Sequence, residues 1–270
     1  MAISDISLTA GMRNNLVSLQ QTVDLLNRTQ TRLSTGKKVN SPLDDPINYF
    51  AAQSHMQRAS DLAMRKDGMN EGIQALKAAD AGIKAITSLV QQAKSLITAA
   101  RTAGATEAAD LETQYDEIRT QIDNLSTDSG YKGVNLLGGD NLTVEFNEDG
   151  SNTISVTGFD ATVAGDLAIA AAGDFTSSAA LDTAVGELDS ALTTLRSQSK
   201  TLSSNLSIIT TRLDFTANMI NTLQIGSDNL TLADMNEEGA NMLMLQTRQS
   251  LGTTSLSLAA QAAQSILRLF

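Results

Sequence analysis

Apolar residues recur along this chain at alternating steps of four and three, and the ladders they form divide it into helices. The longest runs Leu181, Val185, Leu188, Leu192, Leu195, Ser199, Leu202, Leu206, Ile209, Leu213, Thr216, Ile220, Leu223, with two polar positions in thirteen. Such regularity over about six heptads meets the coiled-coil criterion, and at about 1.5 Å per residue the helix is about 65 Å long. A second stripe lies upstream, from Leu62 and Met69 through Ile73, Leu76, Ile83, Ile86, Val90 and Ile97. It predicts a helix from Pro46 to about Arg101, with Asp44 or Asp45 as N-cap and Pro46 in the first turn. Gly104 breaks it, and Leu111, Tyr115, Ile118, Ile122 and Leu125 mark a shorter helix. Three helices with matching stripes predict a bundle.

Further helices stand at both ends. Met12, Leu16, Leu19, Val23, Leu26, Gln30 and Leu33 form another ladder, stopped near Gly36. Asp234 to Leu269 reads as helix, with Met242, Leu245, Leu256, Ala263 and Phe270 on one face and Leu251, Leu258 and Ile266 elsewhere. A helix apolar on most faces is buried on most faces, and one partner from the same chain cannot cover it. Between the long helices, Leu142–Phe146 and Thr153–Thr157 alternate apolar with polar around Asn147–Asn152, which predicts a β-hairpin. The Ala-, Gly- and Ser-rich stretch from 158 to 178 has no clear period and reads as loop with room for one short strand.

Composition agrees with long helices side by side. Aromatic residues make up 3%, Trp is absent and there are two prolines; a globular core of this size draws on bulkier rings. Without cysteine there is no disulfide framework and no thiol nucleophile. The net charge of −11 argues against nucleic acid as partner. No base stands between Lys132 and Arg196, while acids from Asp140 to Asp189 recur there, so the middle is expected to face solvent. In the first 40 residues the bases Arg13, Arg28, Arg32, Lys37 and Lys38 outweigh Asp5 and Asp24. The start of the chain lacks a basic stretch followed by an apolar one, so no cleaved secretory signal is expected, and the runs richest in apolar residues are too interrupted for membrane insertion.

Candidate chemistry is sparse. The single histidine, His55, has no second His or Cys to join it at a metal, and a surface or helix-contact role fits it better. Asp44-Asp45 and Glu237-Glu238 read as capping or solvated acids rather than an acid/base pair. Gly138-Gly139 lacks the G-K-[ST] of a phosphate loop. Met235, Met242 and Met244 read as helix-contact residues. No catalytic, cofactor or metal residues are assigned, and the chain is read as no enzyme.

Three motifs resemble one family. Arg32-Leu33-Ser-Thr-Gly36-Lys-Lys-Val-Asn40-Ser41, followed by Asp44-Asp45, is similar to the turn joining the N-terminal helix of bacterial flagellins to their core. Tyr131-Lys-Gly-Val-Asn-Leu-Leu137 looks like the approach to their hairpin region. Gly252-Thr-Thr-Ser-Leu256 and Gln261-Ala-Ala-Gln-Ser-Ile-Leu267 resemble their C-terminal helix, although the family often has Pro where Ala263 stands. The resemblance spans about 1–137 and 178–270.

It implies a mainly α chain: a long antiparallel helical bundle or coiled coil with paired terminal helices and a small β-hairpin outer region. The implied division is an N-terminal helix and turn (1–45), core helices (46–137), a short outer loop (138–177), a return helix (178–230) and a C-terminal helix (231–270). The implied function is a structural subunit that self-assembles into the extracellular flagellar filament, exported by the type III apparatus without signal cleavage. Other copies of the chain, an export chaperone and a filament cap protein are the implied partners. Packing in the polymer is expected at Met12, Leu16, Leu19, Val23, Leu26, Leu33, Met242, Leu245, Leu251, Leu256, Ala263, Ile266 and Phe270. The region resembling the part that a vertebrate innate receptor detects holds Gln92, Leu96 and Glu117; flagellins so detected tend to carry Arg where Gln92 stands, which implies weak detection. A hook–filament junction protein of the same family is the nearest rival reading, and a cytoplasmic coiled-coil adaptor the next. The short outer region and the C-terminal pattern favour the filament subunit.

Overall fold

The computed structural model describes residues 10–267, apart from the side chains at 263, 266 and 267. Its order is α1 (Ala10–Thr35), α2 (Pro46–Ala100), α3 (Ala105–Asp128), β1 (Leu142–Glu145), β2 (Thr153–Val156), α4 (Ser178–Thr231) and α5 (Met235–Leu267). The chain separates into two compact units, one from the stretches up to 57 and from 223 on, the other from 58–222.

The second unit is a three-helix bundle built on heptad columns. Leu62, Met69, Leu76, Ile83, Val90 and Ile97 of α2 are buried, each seven residues after the last. Ala108, Tyr115 and Ile122 do the same on α3, and Leu181, Leu188, Leu195, Leu202 and Ile209 on α4. Sevenfold spacing keeps one stripe of a helix against its neighbours, so each column closes on the other two. The direction of α4 against α2 is set by Lys94 on Asp189, Arg101 on Asp182 and Ser199 on Asp80. Gly104 stands at the N-cap of α3, ending the predicted break where expected.

The hairpin pairs Leu142 with Val156 through Glu145 with Thr153, antiparallel, as its alternation predicts. Val144 and Val156 face the core. The strand lies so close to α2 that a Cβ on Gly72 would meet Val144 Cγ2 at 2.7 Å. Arg65 on Glu145, and Arg58 on Glu148 at 2.7 Å, hold the hairpin to the same helix. Arg212 of α4 lies over the Phe146 ring at 5.3 Å.

The stretch from 158 to 177 departs from the sequence expectation. No third strand forms among the described residues, yet it is no solvated loop: Phe159, Ala161, Val163, Leu167, Ile169 and Phe175 join the core. Its backbone is satisfied by α3 and by the preceding turn. Phe159 and Ala161 donate to the carbonyls of Leu136 and Leu137 at 2.9 and 2.8 Å. Val163 N–H donates to Asp123 at 2.8 Å and Ala172 N–H to Asp116 at 3.2 Å, while Arg119 donates to the Ile169 carbonyl. Polar groups on α3 are thus spent on a buried segment without a ladder of its own. The acids within the stretch sit at its exposed positions.

Tyr115 is fully buried with its hydroxyl unpartnered, packed edge-on to Phe175 at 5.4 Å, and burial pushes its pKa up to about 12. An unsatisfied buried hydroxyl costs about 1–3 kcal/mol. Tyr115→Phe is therefore expected to raise stability by about 1 kcal/mol in denaturant unfolding, and Tyr115→Ala to lower it by about 3–5 kcal/mol. At Gly158 a Cβ would stand 2.8 Å from the Leu136 carbonyl oxygen and nearer still to that of Asp140. Gly158→Ala is expected to cost about 1–3 kcal/mol in the same measurement, because backbone must shift to admit it.

Candidate assembly surface

Within the first unit α1 and α5 run antiparallel. Asn15 donates to Ser255 at 3.4 Å, a Cβ on Gly252 would meet Leu19 Cδ1 at 2.5 Å, and Arg32 reaches Glu238 at 2.7 Å. The paired numbers keep a nearly constant sum near 270, so one register runs along the whole contact. It brings Leu26 beside Leu245, which is buried.

This seam has a different phase from the ladder read in the sequence. Met12, Leu19, Leu26 and Leu33 lie on it, but the positions between them are Asn15, Thr22 and Thr29, not Leu16, Val23 and Gln30. Thr22 and Thr29 are buried, and Thr22 satisfies its hydroxyl on the Ser18 carbonyl at 2.8 Å. Leu16 is exposed and Val23 only half-buried. The sequence ladder followed the strongest apolar residues, whereas the partner helix takes the next row around. On α5 the seam holds Glu238, Met242, Leu245, Gly252 and Leu256, buried or half-buried.

A seam with three polar positions on one side leaves apolar surface uncovered. Leu243, Leu251 and Leu258 are 68%, 65% and 62% exposed, and Val17, Leu25 and Met244 are exposed as well. Covering the three leucines is worth roughly 3–6 kcal/mol per copy, taking about 1.5–3 kcal/mol for a fully buried side chain. Phe270 lies outside the described residues, as do the side chains of Ala263 and Ile266.

The turn motif is a small hydrogen-bonded device. Gly36 takes the left-handed conformation, with φ of 70°, and ends α1 on the Arg32 carbonyl. Lys38 and Val39 then donate to the Thr231 carbonyl and Ala233 to that of Gly36, which clips the two connecting segments together. Arg32 pairs with Glu238, a carboxylate 6% exposed, and so fixes the register of α5 on α1. The two adjacent acids divide their work. Asp44 Oδ2 accepts from the backbone of Asn40 and Ser41 and from the Ser41 hydroxyl, at 3.1, 2.9 and 3.1 Å, and closes the turn. Asp45 is the cap of α2, accepting from Asn48 N–H at 3.0 Å. Leu43 within the turn is 95% exposed, followed by exposed Ile47 and Phe50. The sequence reading did not single out these three, although an apolar residue beside a capping motif is a findable signal.

In the second unit, Gln92 and Leu96 of α2 and Glu117 of α3 line one surface groove of about 500 Å³, with Leu89 and Ile118 beside them.

The family model described as the bacterial flagellin N-terminal helical region matches residues 6–142. Flagellin FljO of Caulobacter vibrioides is 31% identical over the full length of both chains. The flagellin of Brucella melitensis is 30% identical over 94% of this chain and 95% of its own. A crystal structure of Bacillus cereus flagellin covers 55% of this chain and 88% of that one, with 18% identity and a TM-score of 0.49.

Hydrogen bonds from the backbone of Ser41 and Asn40 and from the Ser41 hydroxyl hold Asp44 below the ordinary aspartate value of 3.8. A lowered carboxyl pKa contributes stability above the ordinary value, and that contribution is lost as pH falls through the lowered one. The amide proton shifts of Asn40 and Ser41 in NMR are expected to stay native at pH 5 and to titrate below 3.8. In Asp44→Ala the titration is expected to vanish.

Proposed function

The chain belongs to the bacterial flagellin family and is a structural subunit of the extracellular flagellar filament, and from that premise we propose that the contacts between copies are made by α1 and α5. The observation that carries this is the mismatch on the α1–α5 pair: a seam holding Asn15, Thr22 and Thr29, with Leu243, Leu251 and Leu258 left outside it. Most of a helix's stability in a protein comes from packing of its apolar face, and a half-polar seam supplies little of it. Covering the outer stripe by further copies supplies what the pair lacks. On this reading Leu16, Val23 and Leu251 face neighbouring copies, while Met12, Leu19, Leu26, Leu33, Met242, Leu245 and Leu256 hold the pair within one copy. The turn from Arg32 to Asp45 sets the register that both need.

Contacts that join one face of a subunit to a different face of the next repeat without closing, which gives an open helical polymer. No step of that assembly requires a cofactor or catalysis, and we assign the chain neither. Among the described residues no helix is long and apolar enough to cross a membrane. By resemblance to the family, we assign it an export chaperone that shields α5, a cap protein that folds arriving copies, and export without signal cleavage. The exposed leucines of α5 are the apolar face such a chaperone would cover. The full-length relatives bear the name flagellin, which fits the filament subunit rather than a junction protein.

Seeded elongation followed by electron microscopy tests the assembly reading. Full chain added to short filament fragments is expected to give long filaments, and a variant ending at residue 234 none. Leu251→Asp with Leu258→Asp is expected to slow elongation by at least tenfold while leaving the thermal unfolding of the 58–222 unit unchanged. Wild-type elongation by that double variant would put the polymer contacts elsewhere. For the Gln92 groove, monomer is expected to activate the innate receptor weakly in reporter cells and Gln92→Arg more strongly. Equal activation by both would remove Gln92 from the determinant.

A further inference from the structure

One cavity of the second unit gathers polar groups that the fold leaves without partners. It has a volume of about 460 Å³ and is lined by α2, the hairpin and α4. From α4 come Arg212, Phe215, Thr216 and Met219, which steps of three and four place on one side of that helix. Arg58 and Leu62 of α2 stand opposite, and the hairpin adds Phe146 and the turn that follows it. All of these residues belong to the 58–222 unit.

Most of the charge around the cavity is spent. Arg58 pairs with Glu148 at 2.7 Å, and Asp149 accepts from Asn147 and Ser151 of its own turn. Arg212 is different. Among the described residues it has no acid partner, and it rests on the Phe146 ring at 5.3 Å, which leaves its guanidinium donors without an oxygen. Thr216 differs too. Thr210, Thr211 and Thr222 of the same helix bond the carbonyl four residues back at 2.8, 2.9 and 2.9 Å. Thr216 is only 3% exposed, yet its hydroxyl has no hydrogen-bond partner among the described residues. Beside these two groups stand apolar Leu62 and Met219 and the Phe215 ring, which is 54% exposed.

We propose that this cavity binds a small aromatic carboxylate, with its carboxylate on Arg212 and the Thr216 hydroxyl and its ring against Phe215, Leu62 and Met219. The groups left unspent select this class. One forked cation and one hydroxyl, set among apolar side chains, answer a single anionic head on an apolar body. An arginine meets a carboxylate with two parallel N–H···O bonds, and a ring on Phe215 adds offset stacking while it removes an exposed apolar face from water. An acid clothed in hydroxyls would find Asn147, Ser151 and Glu148 of the turn already engaged. The binding goes beyond the filament reading and is independent of it, because one copy supplies every lining residue.

Isothermal titration of the full monomeric chain with 2-naphthoate tests this. Saturable one-to-one binding is expected, with a Kd of about 1 mM or below. Neutral 2-naphthol carries the body without the head, and acetate the head without the body. Each is expected to bind at least about tenfold more weakly. Arg212→Gln is expected to lose about tenfold or more in affinity, and Arg212→Lys less, since an ammonium keeps the charge but not the fork. Thr216→Val keeps the shape, removes the hydroxyl and is expected to weaken binding by about threefold to tenfold. Its thermal unfolding is expected to stay at or above that of wild type, because the hydroxyl bonds nothing in the free chain. Weaker binding by that variant therefore cannot come from a damaged fold. Absence of saturation by about 10 mM 2-naphthoate would overturn the proposal, as would wild-type affinity in Arg212→Gln. Tighter binding of glucuronate than of 2-naphthoate would overturn the aromatic class.

Discussion

An apolar column that returns every seventh residue must be covered along its whole length, because an uncovered turn of long helix has little in water to hold it. In the second unit the requirement is met within the chain. The columns of α2, α3 and α4 close on one another from Met69 to Ile97, from Ala108 to Ile122 and from Leu181 to Ile209. In the first unit it is not. The α1–α5 seam takes Asn15, Thr22 and Thr29 into the contact and turns its leucines outward. The same constraint gives a self-sufficient bundle in one place and a subunit that needs its neighbours in the other.

Much of this was legible in the sequence where period and punctuation agreed. Gly36, Pro46 and Gly104 each stand at a helix boundary, and the hairpin strands pair over the residues whose alternation marked them. The phase of the α1 ladder was not legible. A stripe drawn through the most apolar residues favours Leu16 and Val23, and only the partner helix decides that Thr22 and Thr29 face inward. Register between two helices is set jointly, by Arg32 with Glu238 and Leu19 with Gly252, and no single helix carries it. The division of labour between Asp44 and Asp45 was equally hidden, since both fit an N-cap until the turn that precedes them is folded.

The stretch from 158 to 177 shows a different limit. Phe159, Ala161 and Val163 alternate with polar residues as a strand does, while Leu167 and Ile169 alternate only with Ala168 and Ala170. Ala and Gly around them dilute the signal, and no second strand lies at hairpin distance. The backbone finds its partners instead in Asp116, Arg119 and Asp123 of α3, 40 to 56 residues earlier. Polar side chains on a helix read as solvent-facing unless the segment they serve is already known.

The anchoring of that stretch bears on how such a chain drifts over generations. Outward connections usually change fastest, since substitutions there cost little. Here drift is channelled: Phe159, Val163, Leu167, Ile169 and Phe175 are held by the core, and Asp116 and Asp123 by the backbone they serve. The freedom to vary falls instead on the hairpin tip from 149 to 152, which buries nothing in the core, whereas Glu148 is tied to Arg58. Lineages under pressure to look different from outside would change first at those four residues, and lengthen there before altering anything beneath.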